Sequence, residues 1–469
     1  MTTLRPRGRP LRVLLVRPRP DPETIGLQHV MLVEPLELEV LGGICRREGH
    51  QVRVVDLTLE REGLDAFLAR EKPDVLGVTG YITNVPAMID ACHRARVRDD
   101  RIVTVVGGVH CEVVPGDLDH PDVQFRVVRN AVSAWPRLLR LVAEGAGEVP
   151  PGVLQPGESA DPARLPPFDF AWSLPDRSLT RHYQDRYFYI FHDRVALLKT
   201  SFGCPYRCTF CFCRRITGDR YRERPLEEVL DELQGIDQQE VYIVDDDFLV
   251  TADRVRAFIA GVRSRGLRKH YLVYGRADFI AQNPEVIREF REAGLRTVIV
   301  GFESFLDRDL DLFRKGTSSG VNEEAMAVLN RHGVECYATM ILPASWGREE
   351  FQRCGERLRA LGVRFVNLQP LTPLPGTGIE VDPDRLLVPR SDFPRWDLAH
   401  VMIRPERLTE AEFYEELIRL YWRVLFHPQA LWAHRRRSPR MIWKMIRGTA
   451  LVDRQYRKKL AEARARCRD

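Results

Sequence analysis

Cysteine is scarce in this chain, ten among 469 residues, and that scarcity excludes the disulfide-stapled scaffold of a small secreted protein. Six of the ten, Cys45, Cys92, Cys111, Cys336, Cys354 and Cys467, stand singly and mostly inside apolar segments, where a cysteine acts as a small buried hydrophobe. Long apolar runs are missing too. No stretch approaches the roughly 20 residues of a membrane span, and the opening MTTLRPRGRPLRVLLVRP reads as a first strand rather than a secretory leader. A hydrophobic content of 44% argues against a disordered chain. At about 150 residues per domain the sequence can bury two or three cores. The expectation is a soluble protein of the cytoplasm.

A consistent excess of one charge is also lacking. The net charge of +5 hides a split: from Leu431 onward thirteen Lys or Arg stand against three Asp or Glu, about +10, which leaves about −5 for the rest. Met441, Ile442, Met445 and Ile446 recur at helical spacing among those cations. Such a helix suits contact with a membrane surface or nucleic acid. It equally suits the solvated face of a terminal helix docked on its own protein, which is the plainer expectation.

What is present is alternation. RVLLVRP, QVRVVDLT, DVLGVTGY and RIVTVVGG read as strands, with PLELEVLGGICRREGH, GLDAFLAREKP and VPAMIDACHRARV as the helices between them. Short β-rich runs separated by helical ones build a parallel sheet covered on both faces. Residues 1–145 are therefore predicted as a doubly wound, Rossmann-like α/β domain, with its ligand beyond the carboxyl ends of the strands. Two loops lie there. GVTGYITN carries Thr79, Tyr81 and Thr83, and VVGGVHCEVVPGDL carries Gly107, Gly108 and His110. Paired glycines either admit close backbone approach to a flat ligand or simply make a tight turn.

The Gly-, Pro- and acid-rich stretch around VPPGVLQPGESADPARLPP then reads as a linker over 146–190. Beyond it VALLKTSFG, EVYIVDDDFL, HYLVYGRADF, RTVIVGFES, VECYATMILP and VRFVNLQPLTPLPGT alternate with helical segments. They predict a partial (β/α)6 barrel over 191–380, followed by a mainly helical region over 381–469. Function in a barrel sits at the carboxyl ends of its strands, and KTSFGCPYRCTFCFCRR leaves the first of them. Cys204, Cys208 and Cys211 place three thiols in one short loop, which suits an iron–sulfur cluster with one iron left open. A structural zinc would ask for four ligands, commonly as two separated hooks. Cys213 is poorly placed to be the fourth and reads as a bystander.

CPYRCTFC resembles the cluster motif of the radical S-adenosylmethionine (SAM) superfamily. The first 145 residues resemble cobalamin-binding domains, in which a Ser/Thr-rich loop follows the third strand and Gly-Gly the fourth. Together they resemble the cobalamin-dependent branch of the radical SAM enzymes. That resemblance implies a 4Fe-4S cluster on Cys204, Cys208 and Cys211, SAM chelating the open iron, and cobalamin against Thr79, Tyr81, Thr83, Gly107, Gly108 and His110. The Asp-x-His-x-x-Gly that gives many cobalamin proteins a histidine on cobalt is absent from RPRPDPETIGLQHV, so neither His29 nor His110 is expected on the metal. YIVDDDF, YGRAD, GFES and LTPLPGT fall where relatives carry similar segments. Position by position they imply SAM contacts from Phe210, Asp246, Arg276 and Glu303, the last accepting hydrogen bonds from the ribose diol. The plain alternatives are that Asp245, Asp246 and Asp247 cap the helix beginning near TADRV and that Arg276 pairs with one of them. MILPASWGREE departs from the glycine-rich turn of relatives.

The chemistry so implied is a 5′-deoxyadenosyl radical that takes a hydrogen atom from an inert position, with methylcobalamin facing the same cavity. The expected outcome is methylation of an unactivated carbon or of phosphorus. Oxidative cyclisation or ring rearrangement is the alternative, and a zinc-knuckle RNA-binding protein a remote one. The implied partners are a small-molecule, lipid or peptide substrate and an external one-electron reductant of the flavodoxin or ferredoxin kind; nucleic acid is not expected, and membrane-surface contact would go through the basic tail. In PRWDLAHVMIRPERL, Trp396, Asp397 and His400 either line a substrate cavity or pack as part of a capping region.

Overall fold

The computed structural model describes residues 6–26, 29–161, 165–425 and 439–466. In the first sheet, β1 (Arg12–Arg17), β2 (Gln51–Asp56), β3 (Val75–Thr79), β4 (Val103–Gly107), β5 (Phe125–Val127) and β6 (Val153–Leu154) lie in the order β2-β1-β3-β4-β5-β6. All neighbours are parallel except β6. The helices α1 (Leu36–Arg47), α2 (Leu64–Glu71), α3 (Val85–Arg98) and α4 (Ala131–Glu144) cover both faces. The period of two in RVLLVR divides the burial: Val13 and Leu15 pack with α1 and α4, Leu14 and Val16 with α2 and α3. Strand order reverses between β1 and β3, so the crevice of this doubly wound sheet opens at their carboxyl ends.

The second sheet follows chain order: β7 (Ala196–Leu198), β8 (Glu240–Ile243), β9 (His270–Gly275), β10 (Leu295–Glu303), β11 (Glu335–Leu342) and β12 (Phe365–Pro370), all parallel. Outside it run α5 (Leu226–Gln234), α6 (Ala252–Ser264), α7 (Pro284–Ala293), α8 (Ser319–His332) and α9 (Arg348–Ala360). One residue from each strand, Leu197, Tyr242, Leu272, Ile299, Tyr337 and Phe365, builds an inner layer. Their neighbours Leu198, Ile243, Val273, Val300, Ala338 and Val366 pack outward against the helices. Tyr189 and Leu36 join the inner layer from elements that precede the barrel, and so plug it.

The two final helices, α10 (Glu410–Leu425) and α11 (Pro439–Arg466), run antiparallel. Arg464 and Arg466 at the end of α11 pair with Glu415 and Glu410 near the start of α10. Tyr456 and Ala463 are buried on the inner face of α11, and Lys458 and Lys459 both reach Glu23, at 2.7 and 2.5 Å. The basic helix is thus docked on its own protein; residues 431–438 of the tail and Cys467 lie outside the described residues. Among those described, no helix is long and apolar enough to cross a membrane.

The stretch expected as a linker is where the two domains are tied. Phe188–Tyr189 inserts between Met31–Leu32 and His192–Asp193 in a small antiparallel sheet. Beside it Arg177, its side chain 13% exposed, meets buried carboxylates from both domains: Glu34 and Glu39 of the first, Glu232 of the second at 3.2 Å. Glu34 also accepts the backbone N–H of Leu197, in β7, at 2.7 Å. Glu232 takes Arg224 at 2.9 Å and the Trp172 indole at 3.0 Å. Burial pushes the Glu39 carboxyl well above its usual range, with Glu34 repelling it and Arg177 opposing the shift. Glu34 is raised as well, again by burial first.

Removing the guanidinium strands buried carboxyls on both sides. Arg177→Met is expected to cost about 3–5 kcal/mol and to split one cooperative thermal transition into two. The pH dependence follows from the sign. A carboxyl whose pKa is raised on folding contributes stability that is complete below its ordinary value, 4.5, and is lost as pH rises through the raised one. Glu39→Gln should therefore flatten the decline in melting temperature on raising pH above that point.

Candidate functional site

The cluster loop is set by the residues at its base. After β7 the short strand Ser201–Phe202 pairs antiparallel with Arg222–Glu223, closing 203–221 into a loop. Asp245, just past β8, clasps that base. Its Oδ1 accepts the backbone N–H groups of Thr200 and Ser201 at 2.6 and 3.0 Å, and its Oδ2 accepts both hydroxyls. Gly203 then turns the chain at φ +73, where a Cβ would stand 2.2 Å from the Arg220 carbonyl oxygen, so only glycine fits. Thr209, between the second and third cysteines, donates from its N–H to the Phe313 carbonyl (3.0 Å) and from its hydroxyl to that of Leu312 (3.1 Å). Its own carbonyl accepts from Gly378 N–H at 2.6 Å. The loop is therefore held from both sides.

Cys204, Cys208 and Cys211 are half-buried free thiols. Burial pushes Cys204 up to about 12 and raises Cys208, with Lys315 and Arg276 opposing. Cys211 is lowered, first by a hydrogen bond from Cys213, whose own thiol is raised by that bond and by burial. Among the described residues no three His, Cys, Asp or Glu side chains gather around a point that would hold a single metal ion. Three thiols spread over one loop beside two cations fit the larger, anionic cluster better than a zinc ion.

The flanking strand ends supply charge. Arg276, after β9, is buried, donates to Asp278 at 2.9 Å and to the Lys315 carbonyl at 2.6 Å, lies 3.9 Å from the Cys208 sulfur and stacks on Tyr206. It pairs with Asp278 and with none of the three consecutive aspartates. Nor do those cap α6; Thr251 does, its hydroxyl accepting the Arg254 N–H. Asp246 is exposed and lies beside Cys213. Asp247 is buried, with Oδ1 on the Leu249 N–H and no hydrogen-bond partner for Oδ2 among the described residues. Burial pushes its carboxyl up to about 7 against the pull of Arg276 and Lys315. Glu303 ends β10 at a register shift, with φ +63, and its Oε1 takes Lys315 Nζ at 3.0 Å. A bulge of this kind re-aims a side chain. Phe210 packs edge-on to Phe313, 5.6 Å between centroids. Sequence reasoning passed over Lys315 altogether and took Asp247 only as a helix cap. The turn of MILPASWGREE is held by packing instead: Trp346 donates to Asp309 at 2.9 Å and Glu350 accepts the Gly347 N–H.

On the first domain, Thr79 ends β3 and Thr83 lies half-buried in the turn that follows. Gly107 closes β4. Gly108, at φ +94, brings the two loops together, because a Cβ there would lie 2.7 Å from Thr79 Oγ1 and 2.9 Å from the Gly80 carbonyl oxygen. Tyr81 is 64% exposed, yet burial among surrounding protein pushes its hydroxyl up to about 12, with Glu37, Arg17, Tyr274 and Cys213 as charged or titrating neighbours. Arg17 and Glu37 belong to the first domain, Tyr274 and Cys213 to the second. The loop that carries Tyr81 therefore faces the second domain, against which its neighbour Ile82 packs, beside Leu371 and Leu374. Behind Tyr274 lie the rings of Tyr242 (6.0 Å) and, next to it, Tyr189 (5.0 Å).

The remaining expected site residues have the following partners. His110 is buried with Nε2 2.7 Å from Asp117, which Arg390 also reaches at 2.6 Å; its ring ties the first domain to the C-terminal region. Trp396 donates to the Pro389 carbonyl. Asp397 accepts from the N–H groups of Ile25 (2.6 Å), Ala399 and His400 and from the His400 ring at 2.9 Å. Trp396 and His400 are both buried, and the three residues join the chain's N-terminal segment to its C-terminal region. His29 sits half-buried against α11, its imidazole pKa lowered by burial and by Arg447.

Comparison with known proteins adds the following. The model of the radical SAM superfamily matches residues 198–373, and that of the B12 binding domain residues 24–139. The hopanoid C-3 methylase of Methylococcus capsulatus is 31% identical over 90% of this chain and 82% of its own. The anaerobic magnesium-protoporphyrin IX monomethyl ester cyclase of Rubrivivax gelatinosus is 23% identical over 76% and 66%. A structure of the radical SAM methyltransferase TsrM from Kitasatospora setae, with cobalamin and a 4Fe-4S cluster bound, superposes with a TM-score of 0.68 at 19% identity, covering 96% of this chain and 100% of that one.

Two glycines test the geometry. Gly203→Ala and Gly108→Ala each force a side chain into a left-handed turn with a clash, at roughly 1–3 kcal/mol apiece. Gly203→Ala should lower iron incorporation, read by iron assay after reconstitution, and leave cobalamin retention intact. Gly108→Ala should do the reverse.

Proposed function

We propose that this chain, which belongs to the cobalamin-dependent radical SAM enzymes, transfers a methyl group to an unactivated carbon of an apolar, lipid-like substrate held between its two α/β domains. The observation that carries the reading is that both strand-end loops of the first domain meet the second: Ile82, beside the exposed Tyr81, packs with Leu371 and Leu374, and Val113 and Phe212 both lie against Gly376. Two strand-end crevices thus face one space. Open sheets and barrels both place their ligands there.

Cys204, Cys208 and Cys211 would hold the 4Fe-4S cluster, with Cys213 engaged by Cys211 and Asp246. Glu303 would accept the ribose diol of SAM, and Phe210 would pack beside the adenine. Asp247, with one buried oxygen unpartnered, suits the ammonium group of the methionine part. Arg276 and Lys315 balance the negative charge that thiolates, cluster and carboxylates bring to one place. Thr79, Thr83, Gly107 and Tyr81 would line the corrin, while Gly108 shapes the loop. When bound, the cluster and SAM supply a radical that removes a hydrogen atom from an inert C–H bond, and cobalamin supplies the methyl group. The protein's own part is to hold the substrate between the two loops and keep water out.

The substrate class rests on the walls. Tyr274, half-buried, offers an aromatic face with a polar tip, and the buried layer behind it, with Tyr242 and Tyr189, is aliphatic and aromatic. Such a surface favours a flat or polycyclic apolar body with few charges. The likeness to a hopanoid methylase points the same way. A cytoplasmic setting suits a thiol-ligated cluster that must be reduced.

The test is reconstitution without oxygen. The full chain loaded with iron, sulfide and cobalamin should release 5′-deoxyadenosine from SAM, and Cys208→Ala should lose that release at least a hundredfold. Given a pentacyclic triterpenoid, the product should gain the mass of one methyl group. A product that loses hydrogen without gaining carbon supports cyclisation instead. Turnover of a charged peptide in preference to every apolar substrate would overturn the substrate class.

A further inference from the structure

We infer that the outward face of α11, with Trp422 of α10 beside it, is a docking surface for an anionic phospholipid bilayer, on which the protein lies without crossing it. The inference goes beyond the reaction proposed above and needs none of its cofactors. Helical period divides α11 into two faces. On one, Met441, Gly448 and Tyr456 are buried and Met445 and Val452 half-buried. Met445 packs with the inner layer of the barrel, Val452 and Tyr456 with its outer core, and a Cβ on Gly448 would stand 2.5 Å from the His29 carbonyl oxygen. On the other, Trp443, Ile446, Arg447, Ala450 and Arg454, spaced by three and four, are all exposed. The four apolar residues that recur among the cations are thus separated: Met441 and Met445 turn inward, Ile442 is half-buried and Ile446 turns outward.

A second tryptophan joins this face. Trp422 of α10 donates its indole N–H to Asp453 at 2.9 Å, one helical turn from Ala450 and from Arg457. Seven large apolar side chains are exposed among the described residues, and three of them, Trp422 (41%), Trp443 (59%) and Ile446 (61%), lie on this one helix pair. The other four come singly from separate segments. The charge has one sign. From Trp443 to Arg457 the helix carries Lys444, Arg447, Arg454 and Arg457 against Asp453 alone. Lys444 is paired with Asp193 and Arg457 with Asp453. Arg447 and Arg454 form no ion pair among the described residues; Arg447 lies over the Trp443 ring, 5.4 Å from its centroid.

That combination selects the partner. At the headgroup level of a membrane an indole keeps its polar edge wet while its ring leaves water, and a free guanidinium takes lipid phosphate. Ile446 discriminates between polyanions: an aliphatic side chain offers a nucleic acid no stacking face, but gains free energy at the acyl boundary of a bilayer. No helix among the described residues is apolar enough to span, so α11 would lie in the interface plane. Its inner side meets the apolar inner layer of the barrel through Met445, which puts about one helix diameter, roughly 10 Å, between that layer and the lipid. The other cationic surface, a groove of about 850 Å³ at the amino ends of β1 and β3, has a different make-up. Arg7 and Arg9 there meet Asp74, Arg94 meets Asp65, and Val97 is its single large exposed apolar side chain.

The test is flotation of the full-length protein with vesicles of phosphatidylcholine alone and of equal parts phosphatidylcholine and phosphatidylglycerol, at low and high salt. The protein should float with the anionic vesicles and less so as salt rises, and its tryptophan emission should move to the blue, a shift that Trp443→Phe reduces while binding persists. Trp443→Ser with Ile446→Ser is expected to weaken binding roughly tenfold or more, and Arg447→Glu with Arg454→Glu roughly tenfold. All four side chains are exposed, so melting temperature and, without vesicles, 5′-deoxyadenosine release should match the unaltered protein. If either pair melts lower, Trp443→Gln and Arg454→Gln singly carry the same comparison. Val97→Ser with Arg98→Glu, in the distant groove, should leave binding unchanged. Failure to float with anionic vesicles, equal binding to neutral and anionic vesicles, full binding in both α11 variants, or an equal loss in the distant variant would each overturn the docking surface. A dimer in sedimentation that Trp443→Ser with Ile446→Ser dissociates would assign the face to a second copy of this chain and overturn it too. Protein that floats with anionic vesicles but takes up no cluster contradicts the proposed function and leaves the bilayer surface standing.

Discussion

Two open α/β sheets can share one cleft only if their strand ends are held face to face, and in this chain a buried guanidinium bears that constraint. Arg177 reaches carboxylates from the first domain and from the barrel, while Glu34 fastens directly onto the backbone of β7. A buried ion network of this kind gains little over apolar packing in free energy. What it gives is a fixed relation between parts. The cost of desolvating three glutamates against two arginines, Arg177 and Arg224, leaves an excess of carboxyl groups, and the raised Glu34 and Glu39 resolve it by favouring the protonated form. The meeting of the first domain's strand-end loops with the second domain, Ile82 beside Leu371 and Val113 beside Gly376, depends on that registration.

Within the second domain a single run of three aspartates is divided among three tasks. Asp245 orders the base of the cluster loop by accepting four hydrogen bonds from Thr200 and Ser201. Asp246 lies exposed beside Cys213, and Asp247 turns back into the protein between Arg276 and Lys315. Alternation along an extended segment after a strand explains the division, since successive side chains point to opposite sides. The positive charges of Arg276 and Lys315 then lie where cysteines and carboxylates converge.

How much of this was legible in the sequence depended on how local the signal was. Strands such as RVLLVR and VLGVT, the six βα units and the three cysteines in one loop carry their information within a few residues, and the strand ends they predict are the ones found. Arg177 carried no such signal, because its partners Glu34 and Glu232 lie 143 and 55 residues away and its surroundings are rich in Pro and Gly. Lys315 is hidden in the same way, meeting Glu303 only because β10 ends in a bulge. The setting of Trp396, Asp397 and His400 is equally non-local: the chain's N-terminal segment reaches them through Thr24 and Ile25, which bond Pro394 and Asp397. His110 meets Asp117 of its own loop, and Arg390, 273 residues further on, reaches that same carboxylate. Composition reports which chemistry is available; long-range closure decides where it is spent.

The central claim is that three thiols of one loop bind a cluster whose remaining coordination position faces the cleft and accepts SAM. Electron paramagnetic resonance of the reduced, reconstituted protein tests it most directly. Addition of SAM should shift the cluster signal, and the shift should persist in Cys213→Ser, as the reading of that thiol as a bystander requires. A signal indifferent to SAM, or one that disappears when Cys213 is replaced, would contradict the account.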